Sequence, residues 1–226
     1  MPVNRPKNPI FIIGCARSGT SMLGRVMATH SEIATFPSEA NELWHPRAYP
    51  WHSSNLEKPP FWSDPYKFTQ MSLNDWSSRD YRKITRTFGA YQALTRKHNF
   101  LNKSVMISFM LPLILQLFPE PRFLHLYRDG RAVTFSYAKK EYTKMKNIET
   151  GQFYREKGYF LPFETLLKKF AYMWKSTILE IEKQKKRLEL ESKGSFLEIS
   201  YEEFCVSPKK HLHNIAKYLN LNSNRF

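Results

Sequence analysis

The sequence predicts an α/β protein in which helices cover both faces of a parallel sheet. Three observations carry that expectation. Short apolar runs rich in β-branched and aromatic residues alternate along the chain with segments of helical period. The first such pair is joined by a tight glycine-containing loop, and no internal repeat or low-complexity stretch breaks the alternation.

The first strand is Ile10-Phe11-Ile12-Ile13, apolar throughout and therefore read as buried on both sides. Gly14 ends it, Gly19 opens a turn, and Met22, Leu23, Val26 and Met27 then recur at helical spacing, predicting a helix over Thr20 to His30. Glu32 to Phe36 reads as a second strand, stopped by Pro37 and followed by a polar patch, Ser38 to His45. Residues 46–75 carry Pro, Trp and Tyr without period, and we expect a loop or lid there. Asp75 to His98 reads as a helix whose apolar stripe includes Trp76, Ile84, Phe88 and Tyr91, its arginines forming a solvated face. A third strand is expected over Phe100 to Ser104, then a short apolar helix from Leu111 to Phe118 closed by Pro119. Arg122 to Arg128 gives a fourth strand, Asp129-Gly130 a turn, and Ala132 to Tyr142 a helix. Residues 143–161 show no dominant period. Pro162 to Glu191 is a long helix, Ser195 to Tyr201 the last strand, and Pro208 to Leu219 the last helix, with proline at its start.

Composition narrows the function. The chain has 226 residues, a length that suits one domain with a full core; we expect residues 1–8 to be flexible. A formal net charge of +15 suits an anionic ligand, an acidic substrate, a nucleic acid or a membrane surface. Cys15 and Cys205 lie far apart and fit no zinc, redox or disulfide spacing, which favours a reducing, cytoplasmic setting and no bound metal. No apolar run is long enough to span a bilayer, and the N-terminus lacks a signal-peptide core.

Two stretches carry chemistry. A strand, a small-residue loop and a helix start, Gly14 to Ser21, form an anion site of backbone amides aided by the helix dipole. The usual nucleoside-triphosphate loop places lysine directly after its second glycine; here Thr20 and Ser21 follow Gly19, and the cation is Arg17, two residues earlier. A small anion held by amides, hydroxyls and one guanidinium fork fits better than a Mg²⁺-bearing triphosphate. The second stretch is Tyr127 to Ser136, where a strand delivers Arg128 to its carboxyl end and a helix presents Ser136 two turns later. That pair suits a second phosphate, although an Arg128–Asp129 surface pair would explain the same residues.

Together Gly14-Cys15-Ala16-Arg17-Ser18-Gly19-Thr20-Ser21 and Arg128-Asp129-Gly130-Arg131-Ala132-Val133…Ser136 resemble the two signature motifs of the sulfotransferase family. The likeness is to the branch with arginine in the first loop, which includes tyrosylprotein and many bacterial sulfotransferases. Asn102-Lys103-Ser104 and Ile199-Ser200-Tyr201-Glu202-Glu203-Phe204 agree with it in order. The resemblance implies a P-loop NTPase-like fold and 3′-phosphoadenosine 5′-phosphosulfate (PAPS) as sulfuryl donor. It implies that Arg17, Ser18, Gly19, Thr20 and Ser21 hold the 5′-phosphosulfate, that Arg128 and Ser136 hold the 3′-phosphate, and that Tyr201 lies near the nucleotide. Lys140 falls where some relatives place another basic contact. Arg17 and Lys103 would stabilise the leaving oxygen, and Glu39 is the nearest match to the family's base, with Glu42 and His45 close enough to compete.

The sequence departs from the family after Ser104, where Val105 to Met110 replaces the usual proline and polar stretch, so the acceptor pocket or the placing of Lys103 is expected to be unusual. Nothing after the last helix matches the family's C-terminal closing segment, which we expect to be missing. The acceptor is expected to bear a hydroxyl, on an acidic glycan, a peptide or a small molecule, with no nucleic-acid partner. Two other readings start from the same residues. A small-molecule or nucleotide kinase needs a Mg²⁺-binding aspartate, for which Asp129 is the candidate. A non-catalytic anion or nucleic-acid module would follow from charge alone.

Overall fold

The computed structural model describes residues 5–44 and 73–226. Its centre is a sheet of parallel strands in the order β2-β3-β1-β4-β5, made of β1 (Pro9–Ile13), β2 (Ile33–Thr35), β3 (Asn99–Lys103), β4 (Arg122–Tyr127) and β5 (Phe196–Ser200). The helices are α1 (Thr20–Ala28), α2 (Ser78–Thr95), α3 (Leu111–Leu117), α4 (Gly130–Lys146), α5 (Ile148–Glu156), α6 (Phe163–Arg187), α7 (Tyr201–Val206) and α8 (Pro208–Leu219). The α/β expectation, with a parallel sheet covered on both faces, holds.

Strand alternation sorts the core onto the two faces. Phe11, Ile13, Phe100 and Phe123 point to one side and join Ile84 and Phe88 of α2, Leu113 and Ile114 of α3 and Ile181 of α6. Ile10, Ile12, Leu101, Leu124 and Ile199 point to the other and meet Leu23 and Met27 of α1, Phe204 of α7 and Ile215 and Leu219 of α8. Each fully buried side chain of this size contributes about 1.5–3 kcal/mol, so both layers are needed to offset the entropy of ordering the chain. A third cluster joins α4 to α6, with the Tyr137 and Phe170 rings stacked at 4.1 Å.

Registry aligns the strand ends. Ile12 sits beside Lys103, Ile13 beside His125, and Tyr127 beside Ser200, so the carboxyl ends of β3, β1, β4 and β5 form one edge. Ligand sites of open parallel sheets lie along this edge.

Several boundaries differ from the sequence reading. The helix expected from Asp75 begins at Ser78, because Leu73–Asp75 is a separate 3-10 turn and Ser77 caps α2 in a reciprocal capping box with Asp80. The remainder of the expected loop or lid, 46–72, and His45 lie outside the described residues. α4 runs on to Lys146, and the aperiodic stretch 143–161 holds α5. Tyr201 belongs to the start of α7 rather than to the last strand, since Ser200 accepts from the Glu203 amide and turns the chain into a helix. Near the N-terminus, Lys7 exchanges two hydrogen bonds with Gln92, so this part of the segment expected to be flexible is tied to α2.

Candidate active site

The loop between β1 and α1 is shaped by residues with left-handed backbones. Gly14 has φ 143°, and a Cβ there would stand 2.3 Å from the Leu126 carbonyl oxygen of β4, so only glycine lets the loop leave the sheet. Ser108 clamps the same residue: its Oγ accepts from the Gly14 amide at 2.9 Å and donates to the Gly14 carbonyl at 3.2 Å. Arg17 carries φ 73°, a conformation that costs an arginine roughly 1–3 kcal/mol and persists only where the surroundings enforce it. Gly19, at φ 92°, precedes α1, whose first amides carry no side-chain cap. A side chain at Gly19 would meet the Tyr201 ring at 2.5 Å.

Two buried polar atoms at the cradle have no hydrogen-bond partner among the described residues. One is on fully buried Ser18, whose Oγ is unpaired among these residues. The Arg128 Nε is likewise buried and unpaired. Such orphaned groups are costly, and a ligand that bonded to them would offset that cost. Cys15 is different in kind. Burial pushes its thiol up to about 12 against a hydrogen bond with Thr177, so it stays protonated at neutral pH and is no nucleophile.

On the β4–β5 side the two sequence-predicted anion groups come together. Arg128 donates from Nη1 to the Arg17 carbonyl at 3.2 Å, and its guanidinium lies 4.3 Å from the centre of the Tyr201 ring. Arg17 Nε donates to Ser136 Oγ at 3.2 Å, which links the cradle to α4. Arg128 makes no surface pair with Asp129. That carboxylate accepts from the Arg131 backbone at 2.8 Å and from its guanidinium, which together hold it at about 2. Trp174 of α6 was missed by sequence reasoning: its Nε1 donates to the Arg128 carbonyl at 3.2 Å, and its ring packs so closely on Gly130 that a Cβ would meet it at 2.7 Å.

On the β2–β3 side, Lys103 at the end of β3 donates from Nζ to Ser21 Oγ at 3.0 Å and forms an ion pair with Glu39. Asn102 positions the segment that carries this carboxylate: its Oδ1 accepts from Trp44 Nε1 at 3.1 Å and its amide donates to the Ser38 carbonyl at 3.3 Å. Glu42 is exposed on the turn beyond. Lys103 therefore reaches the cradle despite the unusual stretch after Ser104, which folds into a buried 3-10 turn, Met106–Phe109, and supplies Ser108. Lys140 stands exposed on α4, its pKa lowered first by burial of part of its length and then by Lys144, with Arg17 and Glu39 also acting on it.

One His and carboxylate group could hold a metal among the described residues: His125, Glu182 and Glu198, with donor atoms within 4.8 Å of one another. The Lys185 ammonium already sits 2.9 Å from Glu182 and 3.4 Å from Glu198 and supplies the cation there.

A family model described as "Sulfotransferase family" matches residues 9–225. The chain belongs to the sulfotransferase family. Solved sulfotransferases share its fold at low identity. The sulfotransferase domain from the curacin biosynthetic pathway aligns with a TM-score of 0.58 and 19% identity over 96% of this chain and 75% of that one. The Mycobacterium avium sulfotransferase STF9 gives a TM-score of 0.67 and 12% identity over 100% of this chain and 67% of its own. A sulfotransferase from Alicyclobacillus acidocaldarius gives 0.60 and 16% over 97% of this chain and 82% of its own. A search of the curated proteins finds no match. No helix among the described residues is long and apolar enough to cross a membrane, and both cysteines are unpaired.

Proposed function

We propose that this sulfotransferase moves a sulfuryl group from PAPS to an acceptor hydroxyl. One observation carries the reading: the anion cradle is flanked by two different sets of groups. Arg128, Ser136 and Tyr201 stand on the β4–β5 side, and Glu39 with Lys103 on the β2–β3 side. A donor nucleotide lying over the first side would present its transferable group across the cradle to an acceptor entering from the second. In-line transfer needs that separation.

The residues fit the donor. The orphaned Ser18 Oγ and the α1 amides, with Thr20 and Ser21, suit the 5′-phosphosulfate, and the buried Arg128 Nε with Ser136 suits the 3′-phosphate. When bound, PAPS supplies an activated sulfuryl group joined to a phosphate leaving group. Glu39 takes the proton from the acceptor hydroxyl as its oxygen forms the new bond to sulfur. The bond from sulfur to the bridging oxygen breaks, and adenosine 3′,5′-bisphosphate leaves. Arg17 and Lys103 stabilise the charge that builds on the departing oxygen, a contribution whose removal costs about a hundredfold or more. Lys103 also holds Glu39 beside the cradle, which favours Glu39 over Glu42 as the base. The unpaired cysteines suit a cytoplasmic enzyme.

The kinase reading loses its metal-binding candidate, because Asp129 is committed to Arg131. Thermal stabilisation by adenosine 3′,5′-bisphosphate, ATP–Mg²⁺ and a short oligonucleotide separates the three readings. The bisphosphate should raise Tm by several degrees and the others little. A shift with ATP–Mg²⁺ or the oligonucleotide, and none with the bisphosphate, would overturn the proposal.

A further inference from the structure

Beside Glu39 a groove of about 380 Å³ runs between α1 and the segment after β2, with Lys103 in its wall. From α1 it is lined by Ser21, Gly24, Arg25 and Ala28, which stand at i, i+3, i+4 and i+7 and so form one helix face. From the other side come Phe36, Pro37 and Glu39. The groove thus starts at the proposed base and leads away from the nucleotide side of the cradle. Its volume lies at the small end of the range of ligand sites and suits a compact molecule.

Two features of this groove are not used by its own fold. Arg25 is exposed on the wall and has no ion-pair or hydrogen-bond partner among the described residues. The Thr35 Oγ1 in the opposite wall is buried and likewise without a partner. Arg25 lies in the last turn of α1, where any cation complements the helix dipole, so the charge alone needs no ligand. Its place does: it stands about one helical turn, roughly 6 Å of rise, beyond Ser21, whose hydroxyl is bonded to the catalytic Lys103. Gly24 and Ala28, which line the groove on either side of Arg25 in sequence, carry almost no side chain and leave room in it.

Resting on the sulfotransferase reading, we propose that this groove receives the acceptor and that Arg25 selects a compact hydroxylated acid. The acceptor hydroxyl would meet Glu39, and a carboxylate about one helical turn away would take the guanidinium fork of Arg25. The neutral floor of Phe36 and Pro37 would cover the body between them. The selectivity is then for an anion at a fixed distance from the nucleophile, which a general attraction of a basic surface would not give.

Calorimetric binding in the presence of saturating adenosine 3′,5′-bisphosphate tests this without turnover. A panel of aromatic and sugar hydroxy acids is titrated, each paired with its own amide, into the wild type, Arg25→Gln and Arg25→Lys. At least one acid should bind the wild type about tenfold tighter than its amide. Arg25→Gln should erase that preference while leaving the amide unchanged, and Arg25→Lys should keep part of it. Equal affinity for every acid and amide, binding of neither, or an acid preference that survives Arg25→Gln overturns the proposal. The bisphosphate titration of the same three proteins keeps the two claims apart. Loss of bisphosphate binding in the wild type would strike the donor reading, whereas intact bisphosphate binding without acid preference would strike only the role of Arg25.

Discussion

The two flanks of the cradle are built differently. On the β4–β5 flank each group is fixed from several directions: Arg128 by the Arg17 carbonyl and the Tyr201 ring, its own carbonyl by Trp174, and Arg17 by Ser136. On the β2–β3 flank the proposed base rides on a connecting segment, and its position rests on Lys103 and on the bonds that Asn102 makes to Ser38 and Trp44. The first flank is held by strand tips and helices, whereas the second depends on a connecting segment, which changes more easily. The difference teaches that, under the proposed function, donor binding and acceptor chemistry should be separable by substitution.

Substitutions should reveal that independence, and the largest effect belongs to the cation of the cradle itself. Arg17→Ala should lower the transfer rate by about a hundredfold or more with circular dichroism unchanged, because it removes the charge proposed to stabilise the leaving oxygen. Retained turnover would reassign Arg17 to a structural role. Next comes Glu39→Gln, which should cost roughly a hundredfold or more in kcat, while Glu42→Gln leaves kcat near the wild-type value. The reverse outcome would move the base to the exposed turn. A smaller effect is expected for Trp174→Phe, which keeps the ring against Gly130 and deletes only the bond to the Arg128 carbonyl. It should raise the KM for the donor by about two- to tenfold with little change in kcat. An equal fall in kcat would show that α6 acts on both flanks.

The smallest effect concerns stability away from the cradle. The hydrogen bond between His125 and Glu198, and then the Lys185 ammonium, lower the Glu198 carboxyl from 4.5 to about 2 against the cost of its partial burial. A group depressed in the folded state contributes stability above its unfolded pKa and loses it as pH falls through its folded one. The wild type should therefore lose Tm progressively between pH 4.5 and about 2, and Glu198→Gln should show a shallower loss across the same window. Parallel profiles would contradict the role of that pair. Donor affinity at neutral pH should not change in this variant.

The central motif was legible because its causes are local. An unbroken apolar strand, a glycine and a helical period are written in consecutive residues, and so are the strand and helix that present Arg128 and Ser136. The α7 start was also legible in principle, since Ser200-Tyr201-Glu202-Glu203 has the spacing of an N-terminal capping pair, but the apolar run before it drew Tyr201 into the strand. α5 was not legible: Asn147 turns the chain out of α4, and Gly151 then sits so close to the Met145 carbonyl that a Cβ would clash at 2.3 Å, a packing effect without periodicity. The clamps on the site were hidden for a different reason. Ser108 bonds Gly14 across 94 residues and Trp174 bonds Arg128 across 46, and nothing near either residue announces a partner so distant. The ion pair between Lys103 and Glu39 was hidden likewise, since 64 residues separate the two.

The separation of the two flanks is the claim on which the rest depends, and a calorimetric titration of adenosine 3′,5′-bisphosphate measures it most directly. Compared with the wild type, Arg128→Ala should bind the bisphosphate at least about tenfold more weakly, since it removes charged hydrogen bonds to a phosphate. Glu39→Gln should bind it as tightly as the wild type while failing to catalyse transfer. Undiminished binding by Arg128→Ala, or weakened binding by Glu39→Gln, would contradict the account.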